Sequence, residues 1–151
     1  PGVLADLAGA TVTEWGSLPP GISFALETEL PGLSGDASIW VEALKPASGT
    51  GVLAHYTTGP FPGGAALTSH QVGRGRVLYL GWYPTEAQAT ALLSALADGA
   101  AIPRLAQPLP DALILIRRGT RRLLFNFAEE TQEAEIDGER VSVPGRNVKV
   151  W

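Results

Sequence analysis

Alternation of apolar and polar positions dominates the chain. From Ser23 to Leu30, Phe24, Leu26 and Thr28 interleave with Ala25, Glu27 and Glu29, the period of a half-exposed strand. Ala37 to Lys45 places Ile39, Val41 and Ala43 on one side, and Ala10–Trp15, Val52–Tyr56 and Ala66–His70 read as further strands. Val77-Leu78-Tyr79-Leu80-Gly81-Trp82 is apolar on both sides, the pattern of an interior strand covered on each face. Helical spacing is rarer. Val3 to Ala8 reads as the last turns of a helix that begins before residue 1 and closes at Gly9. A second helix is predicted from about Glu86 to Asp98. Thr85 and Gln88 have capping-box spacing, Leu92/Leu96 and Ala89/Leu93 recur at i,i+4, and Gly99 follows as a terminator.

The pattern changes after a proline-rich stretch, Ile102 to Pro110. Short strands follow at Leu113–Arg117, Arg122–Phe127, Thr131–Ile136, Arg140–Val143 and Asn147–Trp151. Their turns are signalled by Arg118-Gly119-Thr120, Asp137-Gly138 and Pro144-Gly145-Arg146. The expected organisation is an α/β domain over residues 1–106 and a small antiparallel β domain over 107–151.

Composition narrows the function classes. A formal charge of −4 lacks the clustered cationic face that binds nucleic acid. Arg117, Arg118, Arg121 and Arg122 form the one basic cluster and read as a solvated hairpin tip around Gly119-Thr120. The chain has no cysteine, which excludes disulfides, thiolate metal sites and a cysteine nucleophile. No apolar run reaches the ~20 residues of a membrane-spanning helix, so no membrane partner is expected. Pro1 and the absence of methionine suggest a piece excised from a longer polypeptide.

Gly73-Arg74-Gly75-Arg76 precedes its strand, whereas a phosphate-binding glycine loop must lie between strand and helix. Leu78 stands where a third glycine would be needed, and neither Lys45 nor Lys149 lies in a phosphate-loop position, so a tight turn explains the glycines. His55 and His70 lie on different strands without the convergent ligands of a zinc site. Ser34 and Ser48 lack the first glycine of a nucleophile elbow. A retaining glycosidase needs two carboxyl groups about 5–5.5 Å apart, but the spacing of Glu14, Glu27, Glu29 and Glu42 selects no pair. Glu129, Glu130, Glu133 and Glu135 read as a solvated acidic hairpin. No catalytic, cofactor-binding or metal-binding residue is therefore assigned, and no cofactor is expected. Among Trp15, Trp40, Trp82 and Trp151, Trp82 reads as core. Trp40, with Ser38 and Glu42 on its own side, reads as a sugar-stacking platform or a subunit contact.

Three ordered segments carry a resemblance. Val52-Leu53-Ala54-His55-Tyr56, Ala65-Ala66-Leu67-Thr68 and Gly73-Arg74-Gly75-Arg76-Val77-Leu78-Tyr79-Leu80-Gly81 resemble the second half of the trimerisation domain of glycoside hydrolase family 42 β-galactosidases. Leu4 to Trp15 is similar to an earlier helix-to-strand step of that domain. Leu123–Phe127 with Val148–Trp151 is similar to the family's small C-terminal β domain.

The resemblance implies a partial glutamine-amidotransferase-like, flavodoxin-like sheet with helices, whose first strand and helix precede residue 1. It implies that hydrolysis of terminal β-galactosides, with retention, belongs to two glutamates on an upstream (β/α)8 barrel, and that no residue here inherits a catalytic role. It also implies a cytoplasmic homotrimer in which this region works with the rest of the parent polypeptide. The competing readings are a carbohydrate-binding module, signalled by an exposed Trp40 or Trp151 beside polar side chains, and an amidotransferase-like domain of another multidomain protein.

Overall fold

The computed structural model describes residues 2–151 and divides them into two compact units, one ending at Ala101 and one running Ile102–Trp151. A 3-10 turn at Gly2–Leu4 leads into α1 (Ala5–Ala8), which Gly9 closes in the left-handed conformation at φ 61°. The expectation that this helix begins before residue 1 lies outside the described residues. The strands β1 (Ala10–Ser17), β2 (Ser23–Thr28), β3 (Asp36–Pro46), β4 (Gly51–Tyr56), β5 (Ala65–Val72), β6 (Gly75–Leu80) and β7 (Trp82–Tyr83) then form one sheet, followed by α2 (Glu86–Gly99).

The sheet order is β1-β3-β2-β4-β5-β6 with β7 on β3, and every ladder in it is antiparallel. This overturns the α/β, flavodoxin-like and amidotransferase-like expectation. Parallel neighbours need a crossover of a dozen or more residues, usually helical. Here β1 to β6 follow one another without an intervening helix. The first unit is therefore mostly β, with one short helix ahead of the sheet and one longer helix after it.

Two further expectations change. Val77–Trp82 is not a single interior strand: β6 lies at the sheet edge, the chain breaks at Gly81, and β7 pairs with β3. The neighbour of β6 is β5, which lies inside the sheet and is buried from Ala65 through Thr68. Ile39 does not share a face with Val41, because its φ of 68° interrupts the register between Ser38 and Val41 and leaves its side chain exposed.

The core gathers Leu33, Ala37, Val41, Ala54, Tyr56, Ala66, Leu67, Trp82 and Leu92. Full burial of a leucine such as Leu67 contributes roughly 1.5–3 kcal/mol. The capping box read from Thr85 and Gln88 is present, with both reciprocal hydrogen bonds made. Gln88 does more than cap the helix. Its buried amide accepts from Trp82 Nε1 at 3.2 Å and donates to the carbonyls of Ser34 and Asp36, each at 3.2 Å. The start of α2 is thus tied to the sheet it covers. Leu92 reaches the core, whereas Leu93 and Leu96 are exposed.

In the second unit, β8 (Leu113–Arg118), β9 (Arg121–Asn126) and β12 (Val148–Val150) form an antiparallel sheet of order β12-β9-β8, and β10 (Gln132–Ile136) pairs with β11 (Glu139–Val143). Leu113, Leu124, Ile136, Val141 and Val143 make its core. The buried Asn126 side chain joins the ends of three segments. Its Nδ2 donates to the carbonyls of Glu130 (2.8 Å), Val143 (3.0 Å) and Pro144 (3.1 Å), and its Oδ1 accepts from the Ala128 N–H (2.9 Å).

Candidate functional site

Antiparallel pairing of β1 with β3 sets Trp15 opposite Glu42 and Ser17 opposite Trp40. The two tryptophans are therefore diagonal neighbours on one face, close enough for long aromatic side chains to meet. Their rings stack with centroids 4.8 Å apart and planes 17° from parallel. Trp40 is half-buried, and Trp15, 64 % exposed, presents its outer face to solvent.

A polar network fixes this pair from behind. Trp40 Nε1 donates to Glu42 Oε1 at 3.2 Å, and the Tyr79 hydroxyl, from β6, donates to Glu42 Oε2 at 2.7 Å. Both carboxylate oxygens thus hold aromatic side chains in place. Beneath, the Tyr56 hydroxyl donates to the carbonyls of Gly81 (2.6 Å) and Glu42 (3.1 Å). An ordered aromatic surface of this kind suits recognition by packing, since its rings are already held in position before a partner arrives.

Burial pushes the Tyr79 phenol up to about 12, with the Glu42 hydrogen bond and charge adding to the rise. Burial likewise raises Tyr56 to about 12. Both phenols hold their protons in the fold beyond their ordinary value of 10.0. Between that value and about 12 the folded state binds more protons than the unfolded one, so stability is complete below pH 10 and falls as pH rises through the window. The urea midpoint is expected to drop across that range, and Tyr79→Phe should remove part of the slope. Identical slopes in the two proteins would contradict the role given to Tyr79.

The other candidate residues are dispersed. His55 Nδ1 lies 3.2 Å from the Gly63 carbonyl, and His70 Nδ1 lies 3.0 Å from Thr50 Oγ1. Among the described residues no group of three or more histidine, cysteine, aspartate or glutamate side chains could hold a metal ion. Glu14 and Glu27 are exposed strand residues, and Glu29 is exposed just after β2. Gly73 and Arg74 form the tip of the β5–β6 hairpin, Gly73 at φ 57°. Arg74 and Arg76 flank a cleft of ≈ 280 Å³ with Leu30, Leu53, Leu78 and Leu96 in its wall. Trp82 is buried, as its apolar setting indicated. Trp151 packs against the second core, with the Arg122 guanidinium 5.1 Å from its ring centre.

The sequence pointed to Trp40 and Trp151, both half-buried, whereas the ring offered to solvent is Trp15. The signal that could have found it is cross-strand register, which a single strand does not contain. The arginine cluster also divides: Arg117 and Arg122 both bind Asp137, at 2.8 and 3.1 Å, while Arg118 and Arg121 remain at the exposed tip.

Residues 1–103 match the family described as the β-galactosidase trimerisation domain. The chain is 34% identical over 155 residues to a curated β-galactosidase of Halorubrum lacusprofundi, covering 95% of this chain and 22% of that protein. With a Thermus thermophilus β-galactosidase the identity is 36% over 157 residues, covering 98% and 21%. The chain thus spans about a fifth of the length of these curated relatives. Among solved structures, the polyextremophilic β-galactosidase from the Antarctic haloarchaeon Halorubrum lacusprofundi superposes with a TM-score of 0.65 at 31% identity, over 99% of this chain and 23% of that one. The Bacillus circulans sp. alkalophilus β-galactosidase shares the fold, with a TM-score of 0.70 at 21% identity over 97% of this chain and 25% of that one.

Proposed function

The chain belongs to the β-galactosidase trimerisation-domain family, and on that premise we propose that it serves as the assembly and support region of a cytoplasmic β-galactosidase working as a homotrimer. Hydrolysis of terminal β-galactosides, with retention, is assigned to a barrel elsewhere in the polypeptide, and this chain is non-catalytic. Its partners are the rest of the parent polypeptide and two further copies.

The observation that supports a contact role is the exposed Trp15 ring, stacked on Trp40 and held by the Glu42–Tyr79 network. Buried tryptophans are enriched among the residues that dominate association energies. Trp15→Glu in the parental hydrolase is expected to weaken the trimer at least about tenfold, which corresponds to ~1.4 kcal/mol. Light scattering over a dilution series measures this. An unchanged trimer mass at every concentration would remove Trp15 from the subunit contact.

The same exposed ring favours one other reading, a platform on which a sugar stacks. Tryptophan fluorescence titrated with galactose or galactan separates the two. A saturable change supports the platform, and its absence leaves the assembly role.

A further inference from the structure

The three-stranded sheet of the second unit carries apolar residues on both faces of β8 and β9. Its inner face carries Leu113, Leu115 and Leu124 into the core. The ladders align its outer face in rows across β8, β9 and β12: Ile114 with Phe125 and Val148, then Ile116 with Leu123 and Val150. Ile114, Ile116, Val148 and Val150 are all exposed, and Phe127, 63 % exposed, stacks beside Phe125. No charged side chain interrupts these rows. The next row, at the hairpin tip, is Arg118 opposite Arg121, and neither arginine belongs to the Asp137 pairing.

An antiparallel sheet with one solvated face ordinarily alternates apolar and polar positions. Over Ile114–Ile116 and Leu123–Phe125 that alternation is absent, and the charged residue of β12, Lys149, stands in the Leu115–Leu124 row of the other face. A continuous exposed apolar face marks an interaction surface, and depletion of charge is the composition of the core of a permanent interface.

Resting on the assembly-region reading above, we infer that this face is permanently covered by the larger, hydrolytic part of the same polypeptide. That part would present an apolar surface with carboxylates at the end nearest Arg118 and Arg121. About four-fifths of the length of the curated relatives lies outside the region this chain matches. A surface on the same polypeptide acts at an effective concentration of about millimolar, whereas a separate partner must bind from dilute solution. The Arg118–Arg121 row gives the docking a direction, because a carboxylate rim fits at one end of the patch only.

The absence of cysteine from the chain makes the test direct. Val150→Cys and, separately, Ile116→Cys are introduced into the 151-residue chain and into the polypeptide extended upstream to the relatives' length. Maleimide labelling of each introduced thiol is followed by peptide mass spectrometry, with Ser142→Cys, on an exposed position of β11, as the reference. Circular dichroism checks the fold of every variant. The expected result is labelling of both face positions at least tenfold slower in the long polypeptide, with the reference position unchanged, and with protection retained at dilutions where the particle is monomeric. Equal rates in the two lengths would overturn the inference. Protection only in the oligomer would also overturn it, because the cover would then be a second copy. Turnover of a chromogenic galactoside by the long polypeptide is measured in parallel, so failure of the hydrolase reading is separable from failure of the docking.

Discussion

Gly81→Ala is expected to destabilise the first unit by about 3 kcal/mol or more, enough to lower its thermal midpoint by more than about 10 °C. The residue lies where the chain leaves β6 for β7, between two neighbouring backbones. Its N–H donates to the Ala66 carbonyl at 2.8 Å, and its carbonyl accepts from the Glu42 N–H and the Tyr56 hydroxyl, each at 2.6 Å. A methyl group on this residue would lie 2.8 Å from the Glu42 oxygen, 2.9 Å from the Ala66 oxygen and 3.2 Å from Leu44 Cγ. Two of these three neighbours are main-chain atoms, which cannot swing aside as a flexible side chain can. Relief therefore requires β3 and β5 to move apart, at the expense of those hydrogen bonds. Thermal unfolding monitored by circular dichroism measures the effect, and a fall of less than about 3 °C would show that the sheet can relax around the methyl group.

The second large effect is expected at Asn126→Asp, with a loss of about 3 kcal/mol at neutral pH. The substitution keeps the shape of the side chain and removes its donors. A carboxylate would then face the carbonyl oxygens of Glu130, Val143 and Pro144, where the amide now donates. Burial and these oxygens both favour the protonated acid, so the folded-state pKa of the introduced group lies above its unfolded value. The stability it allows is present below the unfolded value near 4 and is lost as pH rises through the folded one. Relative to the parent chain, the variant should recover as the solution is acidified. Urea titrations at pH 7 and pH 4.5 measure this, and an equal loss at both would show that shape, not donation, is what Asn126 contributes.

Several elements were legible because they depend on neighbours in sequence. The Thr85–Gln88 cap, the glycine closing α1 and the turn at Gly73–Arg74 follow from local backbone chemistry, and each is present. The alternating strands from Ser23 onward were readable for the same reason. Sheet type was not. Alternation identifies a strand without stating its neighbour's direction, so it does not distinguish the flavodoxin-like sheet implied by the resemblance from the antiparallel one present. Val77–Trp82 misled similarly: its apolar residues are covered in part from an edge position, and the break at Gly81 is set by the closeness of β3 and β5.

The candidate site was half legible. Trp40 and Glu42, two residues apart on one strand, were expected to share a face, and Trp40 Nε1 reaches Glu42. Trp15 and Tyr79 join them from β1 and β6. The motif residues Tyr56 and Gly81 likewise meet through one hydrogen bond across 25 positions of sequence. By itself the sequence determined the family, the strand-rich periodicity and the local caps and turns, because each is encoded over a few adjacent residues or an ordered set of segments. The tertiary structure alone decided the antiparallel order, the Trp15–Trp40 face and the double-sided apolar sheet, because register between strands sets which side chains meet and no single strand specifies it.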